Sequence, residues 1–232
     1  MISTIVHSME PVFLVGGGKH RAAALKRGAA VTRRFVAADS GADWLVGAGV
    51  FPEHVIGDLD SVRPETLVAL GEDRTTRVEE QDSTDFEKCL ARIAAPLVLG
   101  AGFIGGRADH ELAAYHGLAR FAHRPTVLIG PDDAICLAPP RLEIDLSLGS
   151  RFSLFPLARL RARSRGLRWD VDEVRFAPGE QIGTSNLVTG PVRLEADSPR
   201  LLVIVPVAAL EMLCTALLEA VPWPEPHSAA AG

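Results

Sequence analysis

The sequence predicts an α/β fold in the first half of the chain and an antiparallel β fold in the second, and three observations lead to this expectation. Up to about residue 131, short apolar runs alternate with helical segments. Beyond that point, apolar and polar residues alternate with a period of two, among prolines and turn glycines. The composition, with 47% hydrophobic and 23% charged residues over 232 positions, is that of an ordinary globular protein.

The first half contains apolar runs of strand length, several of them separated by segments with helical periodicity such as "HRAAALKRG" and "TDFEKCLARIAA". This order is typical of βαβ units, which build a mostly parallel sheet with helices on both faces. We therefore predict an α/β domain over residues 1–131. Its strands are expected at "PVFLVG", "RRFVAAD", "EHVIGD", "TTRVEE", "APLVLGAG" and "PTVLIG".

The second half contains segments such as "EVRFAPGEQI" and "GPVRLEADSPRLLVIVP", which alternate between apolar and polar residues. Alternation of this kind marks strands with one face in the core and one in water. Residues 132–232 are therefore predicted to form an antiparallel β-sandwich. Within this part, residues 207–221 have a helical pattern, and the ending "PWPEPHSAAAG" is expected to be a frayed tail.

Charge, cysteines and apolar stretches argue against several classes of protein. The net charge of −5 gives no overall positive field for nucleic acid. The start of the chain lacks the positive region of a signal peptide, and the apolar stretch 201–221 is interrupted by Pro206, Glu211 and Glu219, which argues against a membrane span. The cysteines form no CxxC or Cys/His pattern, so we expect free thiols in a reducing, cytoplasmic compartment; they are Cys89, Cys136 and Cys214.

Four polar clusters directly follow predicted strands: "GGGKH", "DSGAD", "GDLDS" and "EEQDSTD". Because ligands of open parallel sheets bind beyond the carboxyl ends of the strands, the clusters are expected to meet at one edge. The first cluster is either a phosphate-binding turn or only a tight strand-to-helix turn at residues 16–18. It fits neither standard phosphate-loop pattern, since Phe13, His20 and Arg21 stand where those patterns need other residues.

The segment "GDLDS" places Asp58 and Asp60 so that two carboxylates can point at one spot. Two like charges that close repel each other unless a cation lies between them, and hard oxygen ligands suit Mg²⁺. A surface turn is the alternative explanation. In "DSGAD", the alternative to a ligand site is that Asp39 or Ser40 caps the following helix.

The segment "QDSTDFEKCL" has the spacing of a capping box at Thr84 and Glu87, with Asp82 and Asp85 at a positive helix N-terminus. A capping box does not need both aspartates. Asp85 could therefore complete a metal site of three carboxylates with the pair in "GDLDS".

A helix is predicted to start near Arg107 in "GAGFIGGRADHELAAYHGL". Arg107 and Glu111 are four residues apart, so a solvated salt bridge between them is one interpretation. The other is that Arg107 lies at the same sheet edge as the acids and binds phosphate oxygens in a bidentate manner.

Taken together, these segments resemble the thiamin pyrophosphokinase family. Order and spacing agree over roughly residues 35–205. The resemblance implies a Rossmann-like nucleotide-binding α/β domain followed by a β-sandwich, in a homodimer with active sites between the subunits. The matching pieces are "AADSGADWL", "FPEHVIGDLDSVRPE", "QDSTDFEKCL", "GAGFIGGRADHELA", "FSLFPL", "GLRWDVDEVRFAPGEQIGTSNLVTG" and "PRLLVIVP".

The resemblance also implies a reaction and its residues. The family transfers diphosphate from ATP to the hydroxyl group of thiamin, releasing AMP, with Mg²⁺ as the metal. By this resemblance Asp58, Asp60 and Asp85 are the metal ligands, and Asp82 and Arg107 join them as catalytic residues. The implied nucleotide or phosphate contacts are Asp39, Gln81 and Arg107, and the implied thiamin contacts are Trp169, Ser185 and Asn186. Gly17 of the glycine-rich turn and Thr84 are further candidate ATP contacts.

Some alternatives remain open in the sequence. Trp169 could instead be a tryptophan of the sandwich core, and Leu187 stands where many bacterial relatives carry an acid. A pyrophosphokinase of the same architecture acting on a hydroxymethylpterin, and a thiamin or nucleotide sensor without turnover, are alternative functions. A nicotinamide dehydrogenase is disfavoured by the failed glycine pattern.

Overall fold

The structure is a computed structural model, and it describes residues 3–19, 21–80 and 82–226. The helices are α1 (Arg21–Val31), α2 (Gly41–Gly47), α3 (Pro64–Leu70), α4 (Asp85–Leu90), α5 (Ala108–Arg120) and α6 (Leu210–Glu219), with 3₁₀ turns at Glu72–Arg74 and Val207–Ala209. The strands are β1 (Val6–His7), β2 (Val12–Val15), β3 (Phe35–Ala38), β4 (His54–Gly57), β5 (Thr75–Arg77), β6 (Ile93–Ala94), β7 (Val98–Ala101), β8 (Thr126–Ile129), β9 (Asp133–Leu137), β10 (Arg141–Ile144), β11 (Arg151–Pro156), β12 (Leu160–Leu167), β13 (Arg175–Phe176), β14 (Gly183–Ala196) and β15 (Leu201–Pro206).

The first half is a parallel sheet in the strand order β8-β7-β2-β3-β4-β5. Strands β2, β7 and β8 are buried along their whole length, as expected for strands covered on both faces. All six predicted strands of this half are present, so the prediction of a mostly parallel sheet with helices is confirmed.

The second half is antiparallel, and it continues the first without a break in the hydrogen-bonded strand order. Strand β9 pairs antiparallel with β8, and the order runs on through β15, β11, β14 and β12 to β13, with β10 also paired to β14. Burial alternates along β10 and β12, which confirms strands with one solvated face. The predicted boundary near residue 131 falls in the turn between β8 and β9.

Two local predictions differ from the structure. Helix α4 ends at Leu90, and the fully buried Ile93 beyond it belongs to β6, which pairs with β1. The predicted frayed tail is wrong up to residue 226, since the Trp223 indole donates a hydrogen bond to the Ala138 carbonyl at 2.8 Å. The rest of that prediction, residues 227–232, lies outside the described residues.

Within the described part of the chain, we find no helix with the length and apolar character that a membrane crossing requires.

Candidate active site

The loops that follow β2, β3 and β7 pack against one another so closely that side chains cannot fit between them. A Cβ atom added to Gly41 would lie 1.9 Å from the Val15 carbonyl oxygen, and one added to Gly18 would lie 2.2 Å from that of Gly102. The glycines of "GGGKH" therefore form a tight strand-to-helix turn. Gly17, the predicted ATP contact, is exposed on this turn and stays a prediction.

Three aspartates meet beyond the carboxyl ends of β3 and β4. Carboxylate oxygens of Asp39, Asp58 and Asp60 all lie within 4.8 Å of one another. The backbone directs them there: Leu59 has a left-handed φ of 65° and its side chain is buried in the core, while the aspartates on either side of it face the cluster. We call Asp39, Asp58 and Asp60 the acid cluster.

The acid cluster has the electrostatics of a cation site. Burial raises the pKa of Asp39, and the charges of Asp85, Asp58 and Asp60 raise it further, against the lowering effect of the Ser40 backbone N–H. The Oδ1 atom of Asp39 is buried and has no hydrogen-bond partner among the described residues. Oxygen ligands of Mg²⁺ lie about 3 to 4 Å from one another, so the donor set fits such an ion.

Asp85 lies beside this cluster and is held by a lysine that the sequence analysis missed. Lys88 Nζ lies 3.2 Å from Asp85 Oδ1 and 3.7 Å from Asp58 Oδ2. The carboxylate group that the structure assembles within 4.8 Å contains Asp39 rather than the predicted Asp85. The spacing of Asp85 and Lys88 in the sequence fits an ion pair on a helix, but nothing in the local pattern shows that Lys88 is buried.

The start of α4 confirms the predicted capping box. The Thr84 hydroxyl accepts a hydrogen bond from the Glu87 N–H at 3.3 Å, and the Glu87 carboxylate accepts one from the Thr84 N–H at 3.1 Å. Asp82 is exposed, and its N–H donates to the Glu80 carboxylate at 2.9 Å. Gln81 lies outside the described residues.

Arg107 stands exposed at the N-terminus of α5. It pairs with Asp109 at 2.6 Å, so the expected salt bridge to Glu111 is not the one that forms. Glu111 instead accepts hydrogen bonds from the Gly105 N–H at 3.0 Å and the Tyr115 hydroxyl at 2.6 Å. Glu111 therefore braces the glycine-rich loop from which Arg107 extends.

In the second half, Asn186 fixes the backbone of Trp169. Its side-chain oxygen accepts the Trp169 N–H at 3.1 Å, and its side-chain nitrogen donates to the Trp169 carbonyl at 2.6 Å. Ser185 has a left-handed φ of 63°, and its N–H donates to the Ser153 hydroxyl. The Trp169 side chain is 55% exposed under the Arg168 guanidinium, so the core interpretation of this tryptophan is wrong.

An open recess lies along α2, the helix that follows Asp39 in the sequence. Its volume is about 560 Å³, and its walls include Ser40, Trp44 and Arg63. One of its lining residues, Ser40, directly follows Asp39 of the acid cluster in the sequence.

The fold and the site define a class of protein: an α/β sheet with a cluster of aspartates at its strand ends, joined to an antiparallel β region. Two family models match the chain, the thiamin pyrophosphokinase catalytic domain over residues 28–129 and the thiamin pyrophosphokinase vitamin B1 binding domain over residues 141–201. Together they span more than half of the sequence. The chain belongs to the thiamin pyrophosphokinase family.

Individual relatives agree with this assignment. Thiamine pyrophosphokinase 1 of Oryza sativa subsp. japonica is 34% identical over 169 residues, and that of Arabidopsis thaliana is 32% identical over 167 residues. The matched region is 63% of this chain in both comparisons, and 63% and 62% of the lengths of these two relatives.

Solved structures agree in fold. Thiamin pyrophosphokinase from Geobacillus thermodenitrificans matches with a TM-score of 0.70 and 21% identity, over 84% of this chain and 96% of that one. Yeast thiamin pyrophosphokinase matches with a TM-score of 0.71 and 18% identity, over 88% of each chain.

Proposed function

We propose that this protein transfers diphosphate from ATP to the hydroxyl group of thiamin, giving thiamin diphosphate and AMP. The observation that carries the proposal is the acid cluster, in which a buried Asp39 oxygen has no hydrogen-bond partner among the described residues, in a chain that matches both the catalytic and the vitamin B1 binding models of one family. A bond forms between the thiamin oxygen and the β-phosphorus of ATP, and the bond from that phosphorus to the α-phosphate oxygen breaks.

The acid cluster would hold Mg²⁺, with Asp85 close by as a further carboxylate. When bound, Mg²⁺ supplies the positive charge that neutralises ATP phosphate oxygens during the transfer. Arg107 is exposed at the start of α5, so its guanidinium can exchange Asp109 for a phosphate oxygen. Asp82 is exposed and available to accept the proton of the thiamin hydroxyl.

We further propose that Gly17, Asp39, Gln81 and Thr84 contribute to the ATP site. The open recess that Ser40 helps to line supports this placement, since it offers room for a nucleoside next to the residue that follows Asp39. The free buried thiols are compatible with a reducing compartment, so we propose a cytoplasmic location.

At the thiamin end, we propose that the exposed indole of Trp169 offers its π-face to the cationic, aromatic substrate. Ser185 and Asn186 complete this site. The hydrogen bonds of Asn186 to the Trp169 backbone support a role in which the amide fixes the backbone from which the indole extends.

We propose that the two halves of the chain have different roles. Residues 1–131 form the domain that binds nucleotide and metal, and residues 132–232 form a β-sandwich that binds thiamin and makes the contacts of a homodimer. Trp169 follows β12, near one end of the continuous strand order, whereas the acid cluster follows β3 and β4 near the other end. This separation supports active sites assembled from two subunits.

The proposal is tested with purified protein, ATP, Mg²⁺ and thiamin, by chromatography of AMP and thiamin diphosphate. Asp58→Asn should lower kcat about 10²- to 10³-fold, the scale of one electrostatic contributor. Asp73→Asn, an exposed acid on the 3₁₀ turn, is the control with unchanged turnover. AMP formation with a hydroxymethylpterin in place of thiamin would favour the pterin alternative, and binding without AMP formation would favour the sensor.

A further inference from the structure

We propose that Lys88 is a positioning residue of the acid cluster: its ammonium group is a built-in cation that holds Asp58 and Asp85 together and takes the place of a second divalent ion. This inference rests on the proposed function only in that the acid cluster binds a divalent cation.

The first observation is burial. Lys88 is 2% exposed, although a lysine is rarely found inside a protein unless its charge is paired. Moving an ammonium group out of water costs several kcal/mol, and opposite charges at close range must offset this cost. A lysine needed only for packing would be replaced at lower cost by an apolar side chain of similar length.

The second observation is the position of its partners. Asp58 follows β4, whereas Asp85 is the first residue of α4, so the Lys88 ammonium links two separate elements at the site. Asp58 is also a member of the acid cluster. Lys88 therefore acts on the cluster through a carboxylate that the cluster itself uses.

The third observation is the balance of charge. Carboxylate oxygens of Asp39, Asp58 and Asp60 lie within 4.8 Å of one another, and Asp85 shares the Lys88 ammonium with Asp58. Lys88 neutralises part of this charge from the buried side, where the protein interior closes the site, while Asp60 is exposed. A metal ion can therefore approach from the side of Asp60. The negative charge of the site is by then reduced by one unit through the Lys88 ammonium.

The proposal predicts in which direction the affinity for a divalent cation changes when the charge of Lys88 is removed. A role in packing alone does not predict this direction. A divalent ion held by Asp58 would lie on the order of 5 Å from the Lys88 ammonium, and repulsion between the two charges weakens cation binding about tenfold at low ionic strength, even at the dielectric constant of water. Removing the charge of Lys88 while keeping its length should therefore tighten the binding of a divalent cation. A residue important only for packing would leave this binding unchanged or weaken it when replaced.

The test measures Mn²⁺ binding by calorimetry and by electron paramagnetic resonance, without nucleotide, in wild type and Lys88→Met. We expect Lys88→Met to bind Mn²⁺ about tenfold more tightly at low ionic strength, or to bind a second ion. Lys26→Met removes an exposed lysine on α1 and should bind Mn²⁺ like wild type. Wild-type or weaker Mn²⁺ affinity in Lys88→Met would overturn the proposal.

A second variant guards against failure of Lys88→Met to fold. Asp85→Asn combined with Lys88→Met removes both partners of the ion pair, and it restores the local charge of wild type. Its Mn²⁺ affinity should lie within about threefold of wild type, and a difference of about tenfold or more would overturn the proposal. AMP formation by wild type is measured in parallel: its absence with the expected Mn²⁺ pattern overturns only the proposed function, and turnover with unchanged Mn²⁺ affinity overturns only the role of Lys88.

Discussion

At the scale of single residues, Asp39 is the most buried carboxylate of the acid cluster, whereas Asp58 is partly exposed and Asp60 is exposed. Its left-handed φ of 46° is a conformation that asparagine also adopts readily. Asn therefore removes the charge of Asp39 with little strain in the backbone. This makes Asp39→Asn a clean test of whether the cluster is organised for a cation at the expense of stability.

We predict that Asp39→Asn stabilises the metal-free protein by about 1 kcal/mol, because it removes a buried charge that is surrounded by like charges. Turnover should fall about 10²-fold or more. Thermal unfolding with and without Mg²⁺ measures the first effect, and AMP release measures the second. Unfolding at a lower temperature in Asp39→Asn, without Mg²⁺, would contradict the idea of a strained acid cluster.

Trp169 is the residue in the second half at which we expect a substitution to change the KM for thiamin while hardly changing the free energy of unfolding. Because its indole is largely exposed, Trp169→Ala should change the free energy of unfolding by less than about 1 kcal/mol. The KM for thiamin should rise about tenfold or more, since a cation–π contact on a desolvated ring is worth about 2 kcal/mol. Trp169→Phe keeps a π-face and should lie between the two; equal KM values in all three proteins would remove Trp169 from the thiamin site.

At the scale of elements, α2 carries a matched pair of glycines. Gly41 lies at its first turn against the Val15 carbonyl, whereas a Cβ atom added to Gly47 at its end would have no atom of the described residues within 4 Å apart from its own stretch of chain. Gly41→Ala should cost on the order of 3 kcal/mol, because the added carbon overlaps backbone atoms that cannot move independently. It should also lower turnover, since the loop at Asp39 would shift.

Gly47→Ala is the control on the same helix. Alanine is the better helix former, so we expect this change to be neutral or to stabilise by about 0.5 kcal/mol. Chemical denaturation of both variants gives the comparison. Equal stabilities would mean that the close approach of the loops does not constrain this part of the site.

The strand ends at the site could be predicted from the sequence because a pattern of neighbouring residues marks each of them. Asp58 and Asp60 follow a buried apolar strand, and the capping box at Thr84 fixes the start of α4. The sequence predicts that the loops carrying Asp39 and Asp58 meet at one sheet edge. It does not predict that Asp39 rather than Asp85 completes the acid cluster, nor that Lys88 is buried. The first depends on the exact distances between loops, and the burial of one lysine cannot be read from the pattern of its own helix.

The same limit explains the errors in the fold. Strand β6 is only two residues long and forms because Ile93 finds a partner near the start of the chain. The contact of Trp223 with Ala138 likewise joins residues that are far apart in sequence. Periodicity detects elements long enough to repeat, and these contacts are too short or too distant to repeat.

At the scale of the whole molecule, one strand order runs from β13 in the antiparallel part to β5 in the parallel part. The acid cluster and Trp169 lie toward opposite ends of this order. If a complete site joins the acid cluster of one protomer to Trp169 of its partner, a defect in the cluster and a defect at Trp169 can lie on different chains. A dimer of two such chains then still contains one site without either defect.

This arrangement predicts that two impaired proteins restore activity when mixed. Asp58→Asn is nearly inactive and Trp169→Ala is about tenfold less active at low thiamin concentration; after subunit exchange the mixture should reach about a quarter of wild-type activity, because each mixed dimer contains one intact site. The double variant Asp58→Asn with Trp169→Ala, mixed with wild type in the same ratio, controls for exchange itself. Sites contained within single chains would show only the sum of the two residual activities, whatever the time allowed for exchange.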